Sequence, residues 1–190
     1  TAGNTGPAET TLNYVVDTLF PTVNSVAITS ATGILNNLLN AGDVVSVTAT
    51  FSENVTVSGT PQLTLVVGGT NRTATYTSGS GSTTLVYQYT IQAGETDADG
   101  ISIGANALAF NSGTIRDAAG NNATLTHSAA SANSSYNVDT TAPTVSSVST
   151  TADNQSLVSI SDNITVRFSE AMEPSYITTT TSDTTCRAET

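Results

Sequence analysis

The chain repeats itself, and this constrains its fold more than any other feature. Asn13-Tyr14-Val15-Val16-Asp17-Thr18-Leu19-Phe20-Pro21-Thr22-Val23-Asn24-Ser25-Val26 returns as Tyr136-Asn137-Val138-Asp139-Thr140-Thr141-Ala142-Pro143-Thr144-Val145-Ser146-Ser147-Val148, with Asp17 recurring as Asp139 at an offset of 122. Thr50-Phe51-Ser52-Glu53 returns as Arg167-Phe168-Ser169-Glu170 at an offset of 117. The difference falls between the two blocks, in the longer connection at 29–43, because loops absorb length changes and strands do not. A weaker echo sets Ala2-Gly3-Asn4 against Ala119-Gly120-Asn121. The expected layout is the last loop and strand of a preceding repeat at 1–17, one complete repeat at 18–139, and the opening, incomplete part of a following repeat at 140–190.

Inside the complete repeat the periodicity is that of strands. Val44-Val45-Ser46-Val47-Thr48-Ala49-Thr50-Phe51 is β-branched and partly alternating, and Gln62-Leu63-Thr64-Leu65-Val66-Val67, Thr73-Ala74-Thr75-Tyr76-Thr77 and Thr84-Leu85-Val86-Tyr87-Gln88-Tyr89-Thr90-Ile91 follow it. Gly68-Gly69, Ser78-Gly79-Ser80-Gly81 and Asp99-Gly100 offer the positive-φ positions of tight turns and argue for hairpins. Gly33-Ile34-Leu35-Asn36-Asn37-Leu38-Leu39 reads as a loop with apolar anchors, since asparagines interrupt it and Gly42 ends it. Hydrophobic residues make up 37% of the chain with no tryptophan. A core of Val, Ile and Leu with a few Phe and Tyr suits an antiparallel sandwich.

Fifteen acidic residues face four arginines and no lysine, a formal net charge of −11. Nucleic acid and anionic membrane are poor partners for such a chain, since both need basic patches, whereas divalent cations are compatible with it. Cys186 is the single cysteine, so no disulfide forms within the chain. No apolar run reaches the length of a membrane-spanning helix. His127 is the single histidine, and no Gly-x-Ser-x-Gly elbow accompanies it. The expectation is a protein that is not an enzyme. Tyr76, Tyr87 and Tyr89 could line a carbohydrate platform, but tyrosines at strand spacing more often pack across strands.

The blocks Val138-Asp139-Thr140-Thr141-Ala142-Pro143-Thr144-Val145, Phe51-Ser52-Glu53 and Asp117-Ala118-Ala119-Gly120-Asn121 resemble the bacterial immunoglobulin-like repeats of large secreted adhesins and cell-surface proteins. Asn163-Ile164-Thr165-Val166-Arg167-Phe168-Ser169-Glu170-Ala171-Met172-Glu173-Pro174 is similar to a sister type of bacterial Ig-like domain, and residues 178–190 depart from the pattern. The resemblance implies an all-β chain of tandem immunoglobulin-like antiparallel β-sandwiches. It implies a structural spacer or stalk of an extracellular adhesin, surface-layer or filament protein, in contact with adjacent repeats and often with calcium at domain junctions. The alternatives are a glycan- or protein-binding module and an accessory domain of an exoenzyme. Unpaired strands at either end of the chain also open a route to self-association by strand addition.

The acidic residues avoid the strands and collect in the connections. The strand order expected of an Ig-like sandwich sorts them by chain direction. Asp17, Glu53 and Asp117 fall at the pole where the chain comes in, and Asp43, Glu95, Asp97, Asp99 and Asp139 at the far pole. A junction between repeats would bring Asp97, Asp99 and Asp139 to Glu170, and Asp17, Glu53 and Asp117 would form the corresponding site with a preceding repeat. Calcium takes six to eight oxygen ligands and would neutralise the repulsion among such carboxylates. The competing reading is turn chemistry, in which Asp and Asn side chains bond nearby backbone groups. Asp97-Ala98-Asp99-Gly100 also lacks the rest of an EF-hand loop.

Overall fold

The computed structural model describes residues 15–150 and 164–172. Contacts divide the chain into two compact units, Thr1–Thr140 and Thr141–Thr190. The echo at residues 2–4, Cys186 and the segment 178–190 lie outside the described residues. Every element among the described residues is a strand.

In the first unit these are β1 (Val23–Thr32), β2 (Leu38–Leu39), β3 (Val44–Ser58), β4 (Gln62–Val67), β5 (Thr70–Ser78), β6 (Ser82–Thr90), β7 (Thr96–Asp97), β8 (Leu108–Ala109), β9 (Thr114–Arg116) and β10 (Asn137–Asp139). One sheet runs in the order β1-β3-β6-β5-β4-β8, with β9 also paired to β3, and a second in the order β2-β10-β7. Pairing is antiparallel except for β2 with β10. The result is an all-β, Ig-like sandwich.

Strand β3 organises the unit. Its first half alternates, burying Val45, Val47, Ala49 and Phe51, and pairs with β1 on one edge and β6 on the other. The ladder to β6 breaks between Thr50 and Val55, after which Thr56–Ser58 pair with β9 instead. The sequence expectation ended this strand at Phe51. The extra residues carry the chain out of one pairing and into another, a bend that irregular ladders produce, and Glu53 stands at that bend.

The turn chemistry holds at two of the three expected hairpins. Val67 pairs with Thr70 across Gly68-Gly69, with φ of 53° and 76°, as a two-residue turn of the I′ kind requires. A Cβ on Gly68 would lie 2.0 Å from the Thr96 carbonyl oxygen. Gly79 and Gly81, both at positive φ, close the β5–β6 hairpin. Asp99-Gly100 closes none: it lies between β7 and β8, where the Ile101 N–H goes to the Tyr136 carbonyl.

Between the sheets, Leu63, Leu65, Leu85 and Tyr87 are buried together with Leu39, Ile101, Ile103, Ile115 and Val138. Each such aliphatic side chain contributes about 1.5–3 kcal/mol by leaving water. Tyr76 meets Tyr87 edge to face with ring centroids 6.0 Å apart, so these two tyrosines pack across strands, and Tyr87 is inaccessible to a sugar. Its hydroxyl is buried without a hydrogen-bond partner among the described residues, and burial pushes its pKa up. Tyr87→Phe is therefore expected to raise stability by about 1 kcal/mol, since an unsatisfied buried hydroxyl costs free energy and the ring is retained. Urea unfolding of the two proteins measures the difference.

The second unit contributes β11 (Val145–Thr150) and β12 (Ile164–Phe168), an antiparallel pair. This pair reproduces β1–β3 register for register. Val23 faces Phe51, Ser25 faces Thr50, Val26 faces Ala49 and Ile28 faces Val47; Val145 faces Phe168, Ser147 faces Arg167, Val148 faces Val166 and Thr150 faces Ile164. The register shift after Val23 recurs after Val145. Thr22 donates its N–H to Ser52 Oγ at 3.0 Å and accepts the Ser52 N–H at 2.9 Å, and Thr144 does the same with Ser169 at 2.9 and 2.8 Å. Burial differs, however: Phe51 is 2% exposed and Phe168 37%.

Candidate functional site

Three carboxylates from distant parts of the sequence converge at the pole where the chain enters the first unit. Asp17 lies on the segment leading to β1, Glu53 at the bend of β3, and Asp117 just past β9. One oxygen from each lies within 4.8 Å of the other two. Calcium–oxygen bonds of about 2.3–2.6 Å put oxygens on opposite sides of one ion at most about 5 Å apart, so the spacing fits a single divalent ion. Asp17 is exposed, Glu53 half-buried and Asp117 buried.

The loop after β9 is built to hold this arrangement. Asn121 donates its backbone N–H and its side-chain amide to the two oxygens of Asp117, each at 2.8 Å. The same amide nitrogen reaches the carbonyls of Leu19 at 2.9 Å and Asp17 at 3.2 Å. Asp-Ala-Ala-Gly-Asn is thus a clasp, with Gly120 at φ +95° and the incoming segment pinned by its last residue. Thr124 adds a bond from its N–H to the Pro21 carbonyl, 2.8 Å.

The electrostatics of the three acids differ. Burial first, then the charges of Asp117 and Asp17, push the Glu53 pKa up. At Asp117 burial also pushes upward, but the hydrogen bonds from Asn121 and from the Asn121, Gly120 and Ala119 amides outweigh it and hold the group below the usual range. Glu53 is therefore the member that gains most from a nearby cation.

At the far pole, Asp97 is buried and both of its oxygens are engaged. Gly68 donates its N–H to Oδ2 at 2.7 Å and Gly100 to Oδ1 at 2.9 Å. Asp139 sits on the neighbouring strand, one pair along, facing Thr96 while Val138 faces Asp97. Asp97 and Asp139 line one hollow together with Leu38 and Asn137. Asp99 is exposed on the following turn. Glu170 belongs to the second unit, directly after β12, at the position that Glu53 holds in the first. Its neighbour Ser169 makes the bond that Ser52 makes.

Chain direction places Glu95 at the far pole too, but sequence reasoning overlooked the partners that hold it. Glu95 is buried and its carboxylate accepts bonds from the Arg72 guanidinium, the Tyr89 hydroxyl and the Gln92 N–H. Burial raises its pKa, but these three donors outweigh that and hold it below the usual carboxylate range. The available signal was that Arg72 is the single cation on strands β3 to β6. His127, by contrast, has both ring nitrogens in structural bonds, Nε2 accepting the Ala107 N–H and Nδ1 facing the Ser128 carbonyl, each at 2.8 Å.

Register, the Thr–Ser bond pair and an acidic residue at the end of the paired strand thus recur between β1–β3 and β11–β12. Residues 139–190 match the bacterial Ig-like domain family. The matched bacterial Ig-like segment begins at Asp139, the counterpart of Asp17, and spans the second unit. No curated protein and no solved structure matches the chain. Among the described residues no helix is long and apolar enough to cross a membrane.

Proposed function

We propose that this chain is a non-catalytic spacer of a bacterial extracellular or cell-surface protein, in which Ig-like modules follow one another and a calcium ion at the near pole of a module fastens the segment leading into it. The convergence of Asp17, Glu53 and Asp117 carries this reading, because Asp17 belongs to the connecting segment and the other two to the body of the sandwich. A cation held by all three ties connector to module. The bacterial Ig-like match of 139–190 supports the modular part. The candidate ligands are Asp17, Glu53 and Asp117, and Asp139 and Glu170 hold the corresponding positions for the next module. Asp97 is committed to two backbone amides, which favours turn chemistry there.

The test is thermal unfolding with excess calcium and with chelator. A ligand bound by the folded state alone raises the melting temperature, here by several degrees, and Glu53→Gln abolishes the response. Proton linkage gives a second readout. The folded state holds the Glu53 proton above its ordinary value of 4.5, so without calcium this group's contribution to stability declines as pH rises from about 4.5 through the raised folded value. Calcium needs the charged form, so its effect fades as pH falls through the same window. Equal melting temperatures in calcium and chelator at neutral pH would overturn the cation reading.

A further inference from the structure

The chain leaves the first unit through Thr140, and that residue is held. Its Oγ1 accepts the Gly94 N–H at 2.9 Å and donates to the Glu95 carbonyl, also at 2.9 Å. One hydroxyl thus acts as both acceptor and donor toward the turn between β6 and β7. The turn is fixed in its own right: the Glu95 N–H goes to the Gln92 carbonyl, and the Glu95 carboxylate is anchored by Gln92, Tyr89 and Arg72. Arg72 also supplies the positive charge that lets this carboxylate stay ionised in a buried place.

We propose that Thr140 is a positioning residue that clamps the start of the connector to the β6–β7 turn and so orders the boundary between modules, independently of any bound cation. The proposal rests on reading the chain as a spacer of successive modules. The repeat extends it, because Thr18 holds the position of Thr140 and the Asp-Thr pair is common to both boundaries. The two residues of that pair then serve opposite sides. The aspartate, as Asp17, faces the module being entered, and the threonine, as Thr140, grips the module being left. Valine has nearly the shape of threonine but can make neither bond, whereas serine can make both.

The experiment is ¹⁵N relaxation on the whole chain in chelator, comparing wild type, Thr140→Val and Thr140→Ser. In the wild type and in Thr140→Ser the amides of Thr140 and Ala142 should show order parameters near those of a rigid backbone, about 0.85, and in Thr140→Val they should drop below about 0.6. The melting temperature of the first unit and its calcium response should change little in Thr140→Val, which separates loss of the clamp from general damage. Unchanged order parameters in Thr140→Val, or an equal drop in Thr140→Ser, would overturn the proposal. Because the measurement is made in chelator, absence of a calcium effect on melting would defeat the cation reading and leave this result standing.

Discussion

Asp97→Ala lowers the stability of the first unit by about 2–3 kcal/mol, mostly the cost of stranding the buried Gly100 amide at roughly 1–3 kcal/mol, with a smaller loss at the exposed Gly68. The donors are the amides of Gly68 and Gly100. Both glycines sit at positive φ, and a Cβ on either would meet a backbone carbonyl, that of Thr96 or of Asn133 respectively. Asp97 thus joins the β4–β5 hairpin tip to the loop that follows β7. Asp97→Asn should lose about half as much, since the amide keeps one acceptor oxygen. Both losses should appear equally in calcium and in chelator when measured by urea unfolding. A variant with normal stability in chelator that fails only to respond to calcium would return Asp97 to the role of metal ligand.

Phe51→Ala costs about 3–5 kcal/mol, the range for deleting a buried aromatic side chain and leaving a cavity. Phe51 is among the largest fully buried side chains of the unit, on the strand that β1 and β6 enclose. Phe168 occupies the equivalent place opposite Val145, yet it is far more exposed. Phe168→Ala should therefore cost less than about 1 kcal/mol in the unfolding of the second unit. Chemical denaturation followed by residue-resolved NMR distinguishes the two units, and equal losses at both positions would mean that the second core is as closed as the first.

Much of this was legible before any coordinates, for identifiable reasons. Alternation exposed the first half of β3, because Val45, Val47, Ala49 and Phe51 must share a face, and Gly68-Gly69 announced a two-residue turn. The grouping of Asp17, Glu53 and Asp117 followed from counting strand reversals, which needs chain direction and no contacts. The second half of β3 was missed because Ser52-Glu53-Asn54 looks like a loop by composition. Strands β2, β7 and β10 are too short to show a period. The bonds of Asp97 and Glu95 were out of reach for a different reason. Gly68 and Arg72 stand more than twenty residues from the side chains they meet, so no local pattern links them.

The parallel pairing of β2 with β10 decides how the first unit would respond to a pull on its ends. Strand β10 runs beside β2 in the same direction, and Thr140 follows β10 directly, so tension applied there pulls along the strand and across its hydrogen bonds. Bonds loaded sideways share the force and must yield together, whereas a hairpin pulled open at its end gives way one rung at a time. The parallel bridge between Thr22 and Thr124 places the incoming segment in the same geometry. Pulled between Asp17 and Thr140, the sandwich is loaded in shear at both ends, the direction in which so few short strands resist most.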